Sequence, residues 1–141
     1  MFYQARITRE NGNWSAGFLD CPGCQTQSDS EAELYASAKE AVEGWLETQL
    51  AFGDLPPSPR THQEDGLLRV YIDPVLAVRI EIRLARHAAG WTQQDLAERA
   101  GVSRQQIAKL EHPDQNASLT TLAKVANALG MALDVRFEKV A

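Results

Sequence analysis

Gly90-Trp-Thr-Gln-Gln-Asp-Leu-Ala-Glu-Arg-Ala-Gly-Val-Ser-Arg-Gln-Gln-Ile-Ala-Lys-Leu-Glu111 carries the strongest structural signal in the second half of the chain. Thr92 stands where a helix cap is needed, ahead of a short segment that buries Leu96 and Ala97. Gly101 supplies a turn, and Ser103 caps a second segment that buries Ile107 and Leu110. Two capped helices joined by a glycine turn have the spacing of a helix-turn-helix. A plain helical hairpin would use the same Leu, Ala and Gly for packing alone, but its outer face would have no reason to avoid acids. Here that face carries Arg104, Gln105, Gln106 and Lys109.

The segment resembles the Cro/phage-repressor class of DNA-binding domain. Arginine pairs bidentately with guanine and glutamine with adenine, so these side chains suit the edges of bases in the major groove. The candidate DNA-binding residues are therefore Thr92, Gln93, Ser103, Arg104, Gln105, Gln106, Lys109 and Asn116. Arg104, Gln105 and Lys109 are expected to read bases. Thr92, Gln93 and the loop from Gln115 to Ser118 are expected to position phosphates.

The helix expected ahead of the motif, Pro74 to Ala89, has two apolar stripes. Val75, Val78, Ile82, Ala85 and Ala89 form one; Leu76, Ile80 and Leu84 form the other. Two stripes need two packing partners. One is the motif core, and the other is either a second subunit or the strands expected at Leu67–Ile72 and Leu133–Phe137. Leu76, Ile80, Leu84, Leu133, Val135 and Phe137 are accordingly the candidate dimerisation residues. Arg79, Arg83 and Arg86 line up between the stripes, either as a solvated face or as phosphate contacts. A further helix is expected from a Ser118 cap to Leu129, stopped by Gly130.

Length and charge point to two small units. The 141 residues carry a net charge of −5, the wrong sign for a nucleic-acid binder until the chain is divided. Residues 1–75 hold five basic and twelve acidic residues, a net −7, and residues 76–141 hold nine basic and seven acidic, a net +2. The acidic half would be repelled by a DNA backbone and suits a basic partner. No apolar run approaches the ~20 residues that span a bilayer, and no signal-peptide pattern opens the chain, so no membrane association and a cytoplasmic location are expected.

In the first half, Phe2–Arg9 alternates, Asn11-Gly12 is a type I′ hairpin signal, and Trp14, Ala16 and Phe18 alternate on the return. Gln25–Ser28 is a short third strand. A helix then opens at Ser30, whose spacing to Glu33 is that of a capping box, runs through Leu34, Ala38, Ala41, Val42 and Trp45, and ends near Gly53. Pro56, Pro57 and Pro59 lie between Gly53 and Gly66, a boundary composition. The expected division is residues 1–60, a linker and strand at 61–73, and a DNA-binding domain at 74–141.

These strands, the Asp20-Cys21-Pro22-Gly23-Cys24 turn, the capped helix and its Ala38-Lys39-Glu40-Ala41 element together resemble the HicB antitoxin family. The resemblance implies an α+β chain: a β-β-β-α-β domain like a partial ribonuclease-H fold without its catalysis, followed by an all-α helix-turn-helix domain flanked by short strands. It also implies that the chain neutralises a HicA-like toxin, a small basic mRNA interferase, and represses its own operon by binding operator DNA as a homodimer or higher even oligomer. The competing reading is a stand-alone repressor with a small-molecule-sensing first domain.

Enzymatic and metal readings find little support. Cys21-Pro22-Gly23-Cys24 has two ligands where zinc needs four, and His62, His87 and His112 are isolated. A redox pair needs a helix directly after it, whereas the helix starts only at Ser30. No carboxylate cluster stands at metal-binding spacing, so neither metal, cofactor nor catalytic residue is expected.

Overall fold

The computed structural model describes residues 1–140. They form β1 (Phe2–Glu10), β2 (Asn13–Phe18), β3 (Gln25–Ser28), α1 (Glu31–Ala51), β4 (Leu68–Tyr71), α2 (Pro74–Ala89), α3 (Gln93–Ala100), α4 (Arg104–Leu110) and α5 (Leu119–Ala128). The chain divides into two compact units, essentially Met1–Pro74 and Val75–Lys139.

The first unit is an antiparallel sheet in the order β3-β2-β1-β4, with α1 packed on it. Asn11 and Gly12 have φ of 52° and 79°, the pair of positive values a type I′ turn demands, and they set Glu10 opposite Asn13. The resulting register sends Tyr3, Ala5, Ala16 and Phe18 to one face, where they are buried. Leu34, Ala38, Val42 and Leu46, four residues apart along α1, are buried as well. Ser30 caps α1 by accepting from the Glu33 amide at 3.3 Å; the reciprocal half of the expected box is not formed. Closed capping boxes are found instead at α3, where Thr92 pairs with Asp95, and at α4, where Ser103 pairs with Gln106.

The proline-rich stretch is not a free linker. The Tyr3 hydroxyl donates to the Pro57 carbonyl at 2.8 Å, and the Gln4 side chain both accepts from the His62 amide at 2.6 Å and donates to its carbonyl at 3.3 Å. Asp20, almost fully buried, accepts from the Arg60 amide at 2.9 Å and lies 2.9 Å from His62 Nε2. Burial alone would raise the Asp20 pKa, but the hydrogen bonds from Arg60 and His62 outweigh it and hold the carboxyl below its ordinary value. Residues 57–64 are thus a strap stitched to the sheet. Beyond them β4 pairs with β1, Phe2 opposite Tyr71 and Ala5 opposite Leu68. A boundary at residue 60 therefore falls inside the first unit, which reaches Pro74 because β4 completes its sheet.

In the second unit α2 to α5 surround a core of Ile82, Leu96, Ala97, Ile107, Leu110 and Val125. Val78, Val102 and Leu122 pack against it. Gly101 closes α3 in the left-handed region, φ 69°, where a side chain would be strained. Leu133–Phe137 does not form the expected strand. Residues 131–140 have no ladder within the described chain, and alternation of side chains cannot make a strand without one.

Candidate nucleic-acid interface

The second motif helix buries Ile107 and Leu110, and this fixes what faces outward. At about 100° per residue, Arg104, Ala108, Gln105 and Lys109 occupy the opposite arc of α4. Arg104, Gln105 and Lys109 are exposed, and the small Ala108 between them leaves room for close approach to a groove. The structure thus brings together the three residues expected to read bases.

Gln106 is placed differently. Its Oε1 accepts from the Ser103 amide at 2.8 Å, while Ser103 Oγ accepts from the Gln106 amide at 3.1 Å. A bidentate contact to adenine needs the same oxygen, so Gln106 serves as a cap rather than a base reader while the box is closed. Thr92 is engaged similarly, its amide donating to Asp95 Oδ2 at 2.9 Å and its hydroxyl accepting from the Asp95 amide at 3.1 Å. Both cap hydroxyls keep a proton to donate to a phosphate. Asn116 is exposed in the α4–α5 loop, just before the Ser118 cap of α5.

Glu111, which local pattern had not singled out, organises the rest. Its carboxylate accepts from Arg86 Nε at 2.7 Å and Arg86 Nη2 at 3.1 Å, and also from the Gln93 side-chain amide. Its backbone carbonyl accepts from Arg79 Nε at 3.3 Å, and Arg86 reaches the Trp91 carbonyl at 3.0 Å. Two of the three stripe arginines therefore brace the end of α4 and the entry to α3 from inside the unit, with Arg79 only 7% exposed. Neither the solvated-face nor the phosphate reading holds for Arg79 and Arg86. Their partner, Glu111, lies 32 and 25 residues away respectively, beyond the reach of any helical spacing rule. The network also sets Gln93, at the first position of α3, in a fixed orientation. Arg99, likewise unforeseen, lies over the Trp91 ring, 4.2 Å from its centroid.

The candidate dimerisation residues divide. Leu76 and Ile80 are buried in the single chain and offer a second copy no surface, and Leu84 is half-buried. Leu133, Val135 and Phe137 are exposed.

In the first unit Cys21 and Cys24 are free and buried, joined by a tight turn in which the Cys24 amide donates to the Cys21 carbonyl at 3.0 Å. Burial pushes the Cys21 thiol to about 12, with the neighbouring Cys24 and Asp20 charges adding to it, and the Cys24 thiol to about 11. Both are protonated at neutral pH. Iodoacetamide at pH 7.5 should leave the folded protein unmodified and label both cysteines after denaturation; rapid labelling of the folded chain would contradict this burial. A hollow on the same unit is open and lined by Asn13, Gln27, Ser28, Asp29, Glu33 and Ser37. That polar lining is unlike the largely apolar pocket a small-molecule effector needs. Among the described residues no group of acids, histidines and cysteines is placed to hold a metal ion, and no helix is long and apolar enough to cross a membrane.

Comparison with known proteins agrees with this geometry. A helix-turn-helix family model matches residues 82–135. An uncharacterized HTH-type transcriptional regulator of Methanothermobacter thermautotrophicus is 45% identical over 53 residues, 38% of this chain and 77% of that protein. Nearly the whole chain is similar to antitoxin HicB 1 of Photorhabdus laumondii, 28% identical over 131 residues that cover 92% of this chain and 81% of the relative. A solved HicA3 and HicB3 toxin–antitoxin complex contains a chain 26% identical, with a TM-score of 0.47, covering 52% of this chain and all of that one. Over residues 82–135 the chain belongs to the helix-turn-helix transcriptional regulators, and over nearly its whole length it is similar to an antitoxin of the HicB kind.

Proposed function

We propose that the chain is a non-enzymatic, cytoplasmic antitoxin that neutralises a small basic toxin of the HicA kind through residues 1–74 and represses its own operon through residues 75–141. The observation that carries the second activity is the exposed Arg104, Gln105 and Lys109 face of α4, set on a unit whose net charge is positive. Arg104 and Gln105 read base edges, and Lys109 adds to the same face. Thr92, Gln93, Ser103 and Asn116 hold the backbone on either side. A net −7 on the first unit supports a toxin that otherwise holds RNA, because an acidic surface competes with phosphates for the same basic groups. Two copies on an operator would place their α4 helices one helical turn of DNA apart.

Replacing Gln105 by alanine tests the assignment. It should weaken operator binding by about 1–3 kcal/mol and leave binding to unrelated DNA almost unchanged, because a base contact carries sequence information and a phosphate contact does not. Titrations of both duplexes at one salt concentration read the difference. Equal losses on the two would move Gln105 from the bases to the backbone.

A further inference from the structure

The sheet β3-β2-β1-β4 ends in two edges, and α1 closes only one of them. On the outer side of β4 the Tyr71 amide donates to the Tyr35 hydroxyl at 3.1 Å and the Tyr71 carbonyl accepts from Lys39 Nζ at 3.2 Å, while the exposed Arg69 sets a charge on the same edge. Both devices keep another strand from joining there. β3 has neither. Its residues, Gln25-Thr26-Gln27-Ser28, include no charge and no proline.

The ladder fixes which backbone groups of β3 are left over. The Phe18 amide donates to the Cys24 carbonyl at 3.0 Å, so these two form a hydrogen-bonded pair, and such pairs recur at every second residue, at Ala16 with Thr26 and Trp14 with Ser28. The N–H and C=O groups of Gln25 and Gln27 therefore point away from β2, and among the described residues they meet no hydrogen-bond partner. Both residues are exposed. At the end of this edge opens the hollow of about 310 Å³, where Asp29 and Glu33 stand beside Asn13 and Gln27.

Resting on the reading of the first unit as the toxin-binding part, we propose that an extended segment of the basic toxin joins the sheet as a strand beside β3, with a Lys or Arg side chain entering the hollow. Main-chain bonds to Gln25 and Gln27 supply the attachment, and the Asp29 and Glu33 carboxylates select a basic neighbour. The same charges disfavour the competing occupant. A second copy joining at β3 would bring two units of net −7 edge to edge, with Asp29 and Glu33 of each close to the seam.

Amide exchange in the full-length chain, followed by NMR with and without the HicA-like protein encoded beside its gene, tests the edge directly. The Gln25 and Gln27 amides should exchange freely in the chain alone and slow roughly tenfold or more in the complex, whereas Thr26, already bonded to Ala16, should change little. Gln27→Pro removes the outward N–H without touching the ladder to β2, and an edge strand accepts proline at such a position. It should weaken toxin binding roughly tenfold, because a carbonyl of the docked strand is left unpaired, whereas Gln27→Ala keeps the N–H and should change binding by no more than about threefold. Buried cysteines that stay unreactive in Gln27→Pro show that the first unit is still folded. Asp29→Asn with Glu33→Gln should slow association several-fold at low salt, a difference that fades as salt rises. A complex in which the Gln25 and Gln27 amides exchange as fast as before would overturn the edge and leave the toxin reading standing. Protection that grows with the concentration of the chain alone would give the edge to a second copy and overturn the proposal. No binding of that protein by the unaltered chain would overturn the toxin reading itself, and the proposal with it.

Discussion

Glu111→Ala should destabilise the second unit by about 3–5 kcal/mol, the cost of leaving a buried, charged partner without its counter-ion. Arg86 and Glu111 side chains are only 16% and 9% exposed, and the carboxylate also receives the Gln93 amide. A unit held by a core of six buried residues has little margin for such a loss. Denaturant unfolding followed through Trp91 fluorescence in a Trp14→Phe, Trp45→Phe background should show the earlier transition. Operator binding should fall with it, because α4 and the entry to α3 lose their common brace. Replacing both partners at once, Arg86→Met with Glu111→Leu, should cost much less than Glu111→Ala, since no buried charge is then left unpaired. A single-mutant loss below 1 kcal/mol would mean that the network is solvated and does not hold the motif in place.

Cutting the chain after Pro74 should separate the two activities completely. Residues 1–74 are expected to bind and block the toxin and to leave operator DNA unshifted, while residues 75–141 do the opposite. A cut after Gly66 should fail, because it removes β4, bares the edge of β1 beside Tyr3 and Ala5, and leaves Lys39, Tyr35 and Glu43 without the backbone partners they hold at Tyr71 and Asp73. Toxin association with residues 1–74 should slow as salt rises, with a smaller change in dissociation, because exposed charge acts mainly by steering. Ribonuclease inhibition and gel-shift assays on the purified fragments decide the matter. Neutralisation by residues 75–141 alone would refute the division.

Much of this arrangement was legible in local sequence because local physics produces it. Asn11-Gly12 has few other uses than a tight hairpin, and the turn in turn sets the register and the buried face of β1 and β2. Ser30, Thr92, Ser103 and Ser118 each cap the helix that follows within three residues. Once Ile107 and Leu110 are inside, geometry leaves Arg104, Gln105 and Lys109 outside. The division of charge between the halves is likewise a property of the chain as written.

Other features needed tertiary structure, since they join residues that no periodicity relates. A proline-rich stretch reads as a linker until Asp20, Gln4 and Tyr3 supply its hydrogen bonds from 40 to 58 residues away. Arginines at helical spacing look like a surface stripe until Glu111 folds back between them. Gln106 resembles Gln105 in sequence, yet one closes a cap and the other faces outward, because a difference of about 100° around the helix separates them. Forces acting over a few residues make the elements, their caps and the outward face of α4 readable from the order of residues alone. Which polar groups are consumed inside the protein and which remain to meet a partner emerges from the folded chain, because burial and pairing depend on what distant segments bring alongside.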